Sequence, residues 1–422
     1  MNAFSVPQLR AVDSRGGPHG LSVTTSVLPT VPLVQAHLGI PADLADATDL
    51  AEADVLLACW PGLPSCLRFE QQGGTVEVGR RNQWLTLSLT CTSDRLPFLV
   101  DVVTEVLQPR YTPQDVAEAA AKAARQAVLV GAQPAADSVR MLWRSLYGHV
   151  PVSADPAPDP EHVAAVTADA VTGAHARILR PQHGHLVLVG DLDAQRVHHL
   201  IDQALSTWRP PAAGTARSQS PALIPPAGVI RHHRPGLAHT QIRLAAHTTS
   251  RRSPEQFAID QIAAHILGGS FGSRINTVLR EEEGLAYRTA ASLADLLDND
   301  LLFIEADVDN THAVAAHAHL TRILDDFAQH GPTDHELRSA VGHVLGKYAL
   351  NLGTQAGQAA CILSYRTVGF PLSAMNNLLH HLPRLTRSDV QAAAAQFRST
   401  LLTGVICGPA PEPATTLLPH AS

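Results

Sequence analysis

Residues 266–287 read ILGGSFGSRINTVLREEEGLAY. Three glycines (Gly268, Gly269, Gly272) open the stretch, an apolar pattern of helical period follows, and Gly284 breaks it before a strand-like run. Arg280 and Tyr287 stand seven residues apart at its far end, with Glu281–Glu283 between them. A glycine-rich turn opening a helix can cradle phosphate through its free amides. Here the turn has neither the lysine of a P-loop nor the G-x-G-x-x-G spacing, so that reading has little support. Taken alone, Arg280 is a solvated helix-end charge and Tyr287 a half-buried strand residue. The weight given to the pair depends on the rest of the chain.

Composition narrows the classes. At 422 residues the chain has room for two or more domains, and 45% hydrophobic with 16% charged residues is a globular balance. A formal net charge of −7 disfavours nucleic acid as the main partner. The five cysteines are scattered and form no C-x-x-C pair, which excludes a disulfide framework and a zinc ribbon. The opening MNAFSVPQLRAVDSRGG lacks an apolar signal-peptide core. No apolar run approaches the roughly 18–20 residues needed to span a bilayer. The expectation is a cytoplasmic protein with no membrane partner.

Read in order, residues 20–40 predict a hairpin of two strands, and 41–59 a helix capped by Asp43 or Asp46. A strand pair covers TVEVGRRNQWLTLSLTCT (75–92), with helices at 96–107, 113–130 and 137–147. A further helix starts near 168, and LVLVGDL (186–192) reads as a buried strand. The Pro/Ala/Ser-rich segment 209–226 is the one convincing linker. The second half then repeats the landmarks of the first. Tyr147, Thr167 and Gly190 are matched by Tyr365, Thr386 and Gly408 at offsets of 218, 219 and 218 residues, and Thr112 by Thr333 at 221. Two copies of one α/β domain are expected, 1–208 and 227–422.

With that repeat in place, ILGGSFGSRINTVLREEEGLAY resembles the C-terminal half of the pitrilysin/insulinase family of zinc metallopeptidases, which includes mitochondrial processing peptidase. EQQGGTVEVGRRNQWLTLSLTCTSDRLPFLVDVVTEVLQPRYTPQDV, SLYGHVP and LVLVGDLD fall where that family has similar blocks, so the resemblance covers nearly the whole chain. It implies an α+β fold of two homologous α/β roll domains joined by a linker in a clamshell.

Active members of the family carry H-x-x-E-H on a first-domain helix: two histidines bind zinc, the glutamate is the general base, and a later glutamate completes the set. Laid on that pattern, the helix TDLAEADVLL offers Glu52, Ala53, Asp54, Val55 and Leu56, and Gln126 stands near the third ligand. The degenerate positions Glu52, Leu56 and Gln126 therefore imply no metal and no cofactor in this chain. Among the 23 histidines, the adjacent pairs His198-His199, His232-His233 and His380-His381 diverge, and His312, His317 and His319 lie on an alanine-rich helix expected to expose them.

Arg280 and Tyr287, in contrast, match the family's arginine–tyrosine pair with its spacing. Attack on a peptide carbonyl builds negative charge on its oxygen, which a fixed guanidinium and phenol stabilise. The resemblance thus implies a zinc-lacking subunit of a heterodimeric peptidase, with zinc and base on a homologous H-x-x-E-H partner. Gly268, Gly269, Ser270, Phe271 and Gly272 would line the path of an extended peptide. A natural-product precursor peptide is one candidate substrate. The alternative is a peptide-binding or scaffold homologue without catalysis, and a third reading is an independent enzyme with a relocated metal.

Overall fold

The computed structural model describes residues 8–9, 12–17, 20–209, 222–224, 228–248, 253–296, 299–399, 401–409 and 417–418. The linker read at 209–226 falls largely outside the described residues. Two six-stranded mixed sheets are built, each from its own half of the chain. In the first half the strands are β1 (Val12–Gly16), β2 (Ser22–Val27), β3 (Leu33–Pro41), β4 (Thr75–Arg81), β5 (Trp84–Thr92) and β6 (His185–Gly190). In the second they are β7 (Gly228–His233), β8 (His239–His247), β9 (Ala286–Leu296), β10 (Asn299–Asp309), β11 (Leu401–Gly408) and β12 (Leu417–Leu418).

The first sheet runs β1-β2-β6-β3-β5-β4 and the second β12-β7-β11-β8-β10-β9. In both, one strand late in the half returns to lie parallel to an early one: β6 beside β2, and β11 beside β7. The predicted hairpin at 20–40 is therefore corrected. β2 and β3 are both present, but β6 lies between them, parallel to one and antiparallel to the other. Local alternation finds strands and cannot see a third strand inserted from 150 residues on. β5 alternates strictly, with Leu85, Leu87, Leu89 and Cys91 buried, whereas β6 (HLVLVG) is buried almost throughout because both of its faces are covered.

The repeat landmarks are structural. Thr112 and Asp115 form a reciprocal cap, with the Asp115 amide donating to the Thr112 hydroxyl and that hydroxyl to the Asp115 carboxylate. Thr386 and Asp389 repeat it in the second half, and at Thr333 the cap is closed by the Thr333 amide donating to the Glu336 carboxylate and the Glu336 amide to the Thr333 hydroxyl. Thr167 caps the helix Ala168–Ile178. Gly148 and Gly369 sit at φ +77 after the helices Pro134–Tyr147 and Gln355–Thr367, where a side chain would be strained.

Contacts divide the chain into two compact units that are discontinuous in sequence. One comprises Met1–Leu129, Ala157–Gln219 and Lys347–Asn376; the other Val130–Pro156, Ser220–Gly346 and Asn377–Ser422. Each unit thus takes a helix from the other half. Pro134–Tyr147 buries Leu142, Trp143, Leu146 and Tyr147 against Ala245, Leu301, Val405 and Cys407 of the second sheet. Gln355–Thr367 packs on β3 and β6 of the first. Its Gln355 side-chain amide donates to the carbonyls of Leu28 and Val31 at 2.8 and 2.9 Å, and that of Gln358 to the Ser26 hydroxyl at 3.0 Å.

Candidate functional site: an arginine–tyrosine edge in the second half

The helix Pro254–Gly268 ends directly on β9. A Cβ on buried Gly268 would fall 2.4 Å from the Ala291 amide nitrogen, so the close approach there is to the protein's own strand. Gly269 is similarly crowded by His265, while Gly272 faces open space. Internal hydrogen bonds hold the loop between them. The Ser273 hydroxyl donates to the Ser270 carbonyl at 2.6 Å, and buried Asn276 donates to the Phe271 carbonyl at 2.6 Å while accepting from Thr289 of β9.

A short α-helical turn, Arg274–Asn276, then widens into a π-helical one, Thr277–Glu282. The Glu283 amide donates to the Val278 carbonyl at 3.1 Å and the Leu285 amide to that of Leu279 at 2.7 Å. Ile275 and Leu279 are fully buried beneath it, and Gly284 at φ +63 ends it. Such wide turns carry a local cost that packing must offset.

Arg274 provides much of the anchorage. Its guanidinium donates to both Glu336 oxygens at 2.7 and 2.9 Å, to Asp326 at 2.8 Å and to the Gly331 carbonyl at 2.9 Å, and it lies 4.7 Å from the Phe327 ring centroid. Burial alone would push the Glu336 carboxyl up, but the hydrogen bonds from Arg274 and Thr333 outweigh it and hold that carboxyl below its usual range.

The two predicted polar residues, Arg280 on this anchored turn and Tyr287 on β9, are both exposed. Arg280 is exposed and makes no ion pair among the described residues; its guanidinium carbon lies 5.3 Å from the centroid of the Phe271 ring, itself 73% exposed. Tyr287, the second residue of β9, is 61% exposed, with its ring centroid 4.4 Å from that of His239 at an interplanar angle of 49°. Of the loop residues, Gly269, Phe271 and Gly272 are exposed, Ser270 is half-buried and Gly268 is buried. Both groups are thus exposed to solvent, the cation against the Phe271 ring and the phenol against the His239 ring. Sequence reasoning missed His239, which no spacing rule connects to Tyr287.

The corresponding motif in the first half is closed. Helix Ala47–Cys59 is capped by Asp46 and buries Glu52 and Asp49. The Arg177 guanidinium donates to Asp49 at 2.6 Å and to Glu52 at 2.5 Å, and these bonds raise its own pKa further. Val55 and Leu56 are fully buried in the core and offer no donor atom. Gln126 is exposed on the helix Pro113–Gly131. Zinc needs at least three protein ligands. The motif positions supply one carboxylate, already engaged by a cation, so these residues do not fit the metal. No group of three or more His, Cys, Asp or Glu among the described residues is arranged to hold one elsewhere. The histidine helix corrects one expectation: His317 and His319 are half-buried, and only His312 of the three is exposed.

The model of the family described as "Peptidase M16 inactive domain" matches residues 165–342, a span that includes the whole arginine–tyrosine edge. Over that span the chain is similar to the M16 peptidase family. The curated relatives it matches are distant in sequence. An "uncharacterized zinc protease" of Streptomyces coelicolor is 23% identical over 395 residues, covering 89% of this chain and 85% of that one. A "non-peptidase homolog" of Helicobacter pylori is 24% identical over 139 residues, or 32% of each chain. The crystal structure of a peptidase M16 inactive domain from Pseudomonas fluorescens superposes with a TM-score of 0.85 at 20% identity, covering 96% of this chain and all of that one. The chain thus shares its fold with that structure over nearly its whole length. Among the described residues, no helix is long and apolar enough to cross a membrane.

Proposed function

We propose that this chain is the non-zinc subunit of a heterodimeric metallopeptidase that cleaves peptides or leader segments. Arg280 and Tyr287 bind and polarise the substrate carbonyl, while a homologous H-x-x-E-H subunit supplies the zinc and the general base. The observation that carries this reading is the contrast in availability. Arg280, on a braced turn, and Tyr287, near the start of β9, are exposed, whereas Glu52 and Leu56 are buried and committed. A fold that needed neither polar group has no reason to anchor an unpaired guanidinium and a phenol at one edge. Each is a hydrogen-bond donor that gains strength as charge develops on a carbonyl oxygen. Exposed Phe271 and Gly272 beside them suit an extended peptide better than a small polar metabolite. A leader or precursor segment, unfolded before cleavage, is the substrate class proposed.

The test is reconstitution. The purified chain is assayed on unstructured fluorogenic peptides alone, and then with an H-x-x-E-H homologue from the same genome. Cleavage by the mixture alone supports the reading. A mixture no more active than the zinc subunit by itself sinks it and favours a non-catalytic scaffold.

A further inference from the structure

Tyr287 occupies an unusual place in the ladder. β10 pairs Asp307 with Arg288 and then Val308 with Ala286, so Tyr287 is the residue left over in a β-bulge. A bulge bends its strand and redirects the side chain it carries. Here the phenol is redirected across the end of β10. β8 and β9 are not neighbours, since β10 lies between them, yet the Tyr287 and His239 rings meet at 4.4 Å. Strands two places apart are separated by roughly 10 Å, so this contact depends on both side chains leaning toward each other.

The His239 side of the contact is braced. The Asn310 side-chain amide donates to the Leu237 carbonyl at 2.9 Å and accepts from the Thr240 hydroxyl at 3.0 Å, fixing the chain on either side of His239. Asp309, the register partner of His239, accepts at one carboxylate oxygen, Oδ1, from the Thr311 amide and hydroxyl at 2.8 and 2.6 Å. The brace holds the backbone that carries the imidazole, and the phenol rests on that ring.

We propose that His239 is a positioning residue for Tyr287: its ring is the surface that sets the direction of an otherwise exposed phenol. The inference rests on the role given to Tyr287 above. An exposed tyrosine at a bulge samples several rotamers, and a donor 1 Å out of place can lose up to about a hundredfold in rate.

The experiment has two readouts, one needing no partner. The chain is labelled with ring-13C tyrosine; it has five tyrosines, and Tyr287→Phe assigns the signal of interest. His239→Ala is expected to shift and sharpen the Tyr287 signal, and His239→Phe, which keeps a ring, to return it toward the wild-type position. In the reconstituted peptidase His239→Ala is expected to lower kcat about tenfold at unchanged KM, with His239→Phe recovering most of it. A Tyr287 signal indifferent to His239→Ala overturns the positioning role whatever the kinetics. So does an unchanged kcat in His239→Ala where Tyr287→Phe abolishes cleavage. If Tyr287→Phe itself cleaves normally, the function assigned to Tyr287 fails, and the catalytic use of His239 with it.

Discussion

The two halves of this molecule treat equivalent chemistry in opposite ways. In the first half, the helix Ala47–Cys59, on which the sequence reading lays the metal motif, has its polar groups engaged within the fold: Leu56 is core and Glu52 is clasped by Arg177. In the second half, the helical turn bearing Arg280 is braced by Arg274 and leaves Arg280 exposed, with no ion pair among the described residues. A polar group satisfied within the fold is a stability device, and one held outward without a partner is available to something else. The first region is predicted to fail by unfolding when altered, and the second by loss of function.

The strongest way to break that contrast is to rebuild the motif. Glu52→His with Val55→Glu and Leu56→His puts polar side chains into positions that are fully buried or nearly so. An unpaired buried polar group costs about 1–3 kcal/mol, more if charged, and the lost apolar burial adds to it. A loss of more than about 4 kcal/mol and no tight zinc binding are expected, read by urea unfolding and metal titration. Stoichiometric zinc in a well-folded triple variant would show that the site is merely unloaded.

Next in size is Arg177→Ala. It leaves Asp49 and Glu52 buried without their cation; because Arg177 is half-exposed, we expect about 2 kcal/mol, below the range for fully buried pairs. Adding Asp49→Asn and Glu52→Gln to that variant should restore part of the loss. Peptide cleavage by the reconstituted complex should not change under conditions where the variant is folded.

A smaller effect comes from the brace of the second region. The Glu336 carboxyl is held below its usual range, so its contribution is complete above that range and disappears as pH falls through the lowered native value. The stability difference between wild type and Glu336→Gln should be about 1–2 kcal/mol at pH 7, flat down to about pH 5, and shrink below it. Urea titrations at a series of pH values check this. A difference that grows on acidification would contradict the assignment.

Much of the architecture is legible in the chain because it rests on local chemistry. Thr112, Thr333 and Thr386 announce their helices by the acidic residue three positions on, and the glycines after Tyr147 and Thr367 end theirs by adopting positive φ. What is set by distant partners is not legible. The amphipathic faces of Pro134–Tyr147 and Gln355–Thr367 say that something covers them, but not that each packs in the unit dominated by the other half. Likewise Arg177 lies 125 residues from Glu52. At the site, it is the resemblance to the family, through its seven-residue spacing, that singles out Arg280 and Tyr287. The π-helical turn, the bulge at Tyr287 and the ring of His239 depend on register and packing, which the sequence pattern does not carry. Gly268 reads as a path for peptide and in fact seats a helix on β9.

The central claim is that Arg280 and Tyr287 act on a substrate whose cleavage is completed by another chain. The most direct measurement is kcat/KM of the reconstituted heterodimer with wild-type chain, Arg280→Ala and Tyr287→Phe, after confirming equal subunit assembly. Each substitution is predicted to lower kcat/KM on the order of a hundredfold, or about 3 kcal/mol of transition-state stabilisation, while the melting temperature of the chain stays within a degree or two. Unchanged kcat/KM in both variants, with the complex intact, would contradict the account.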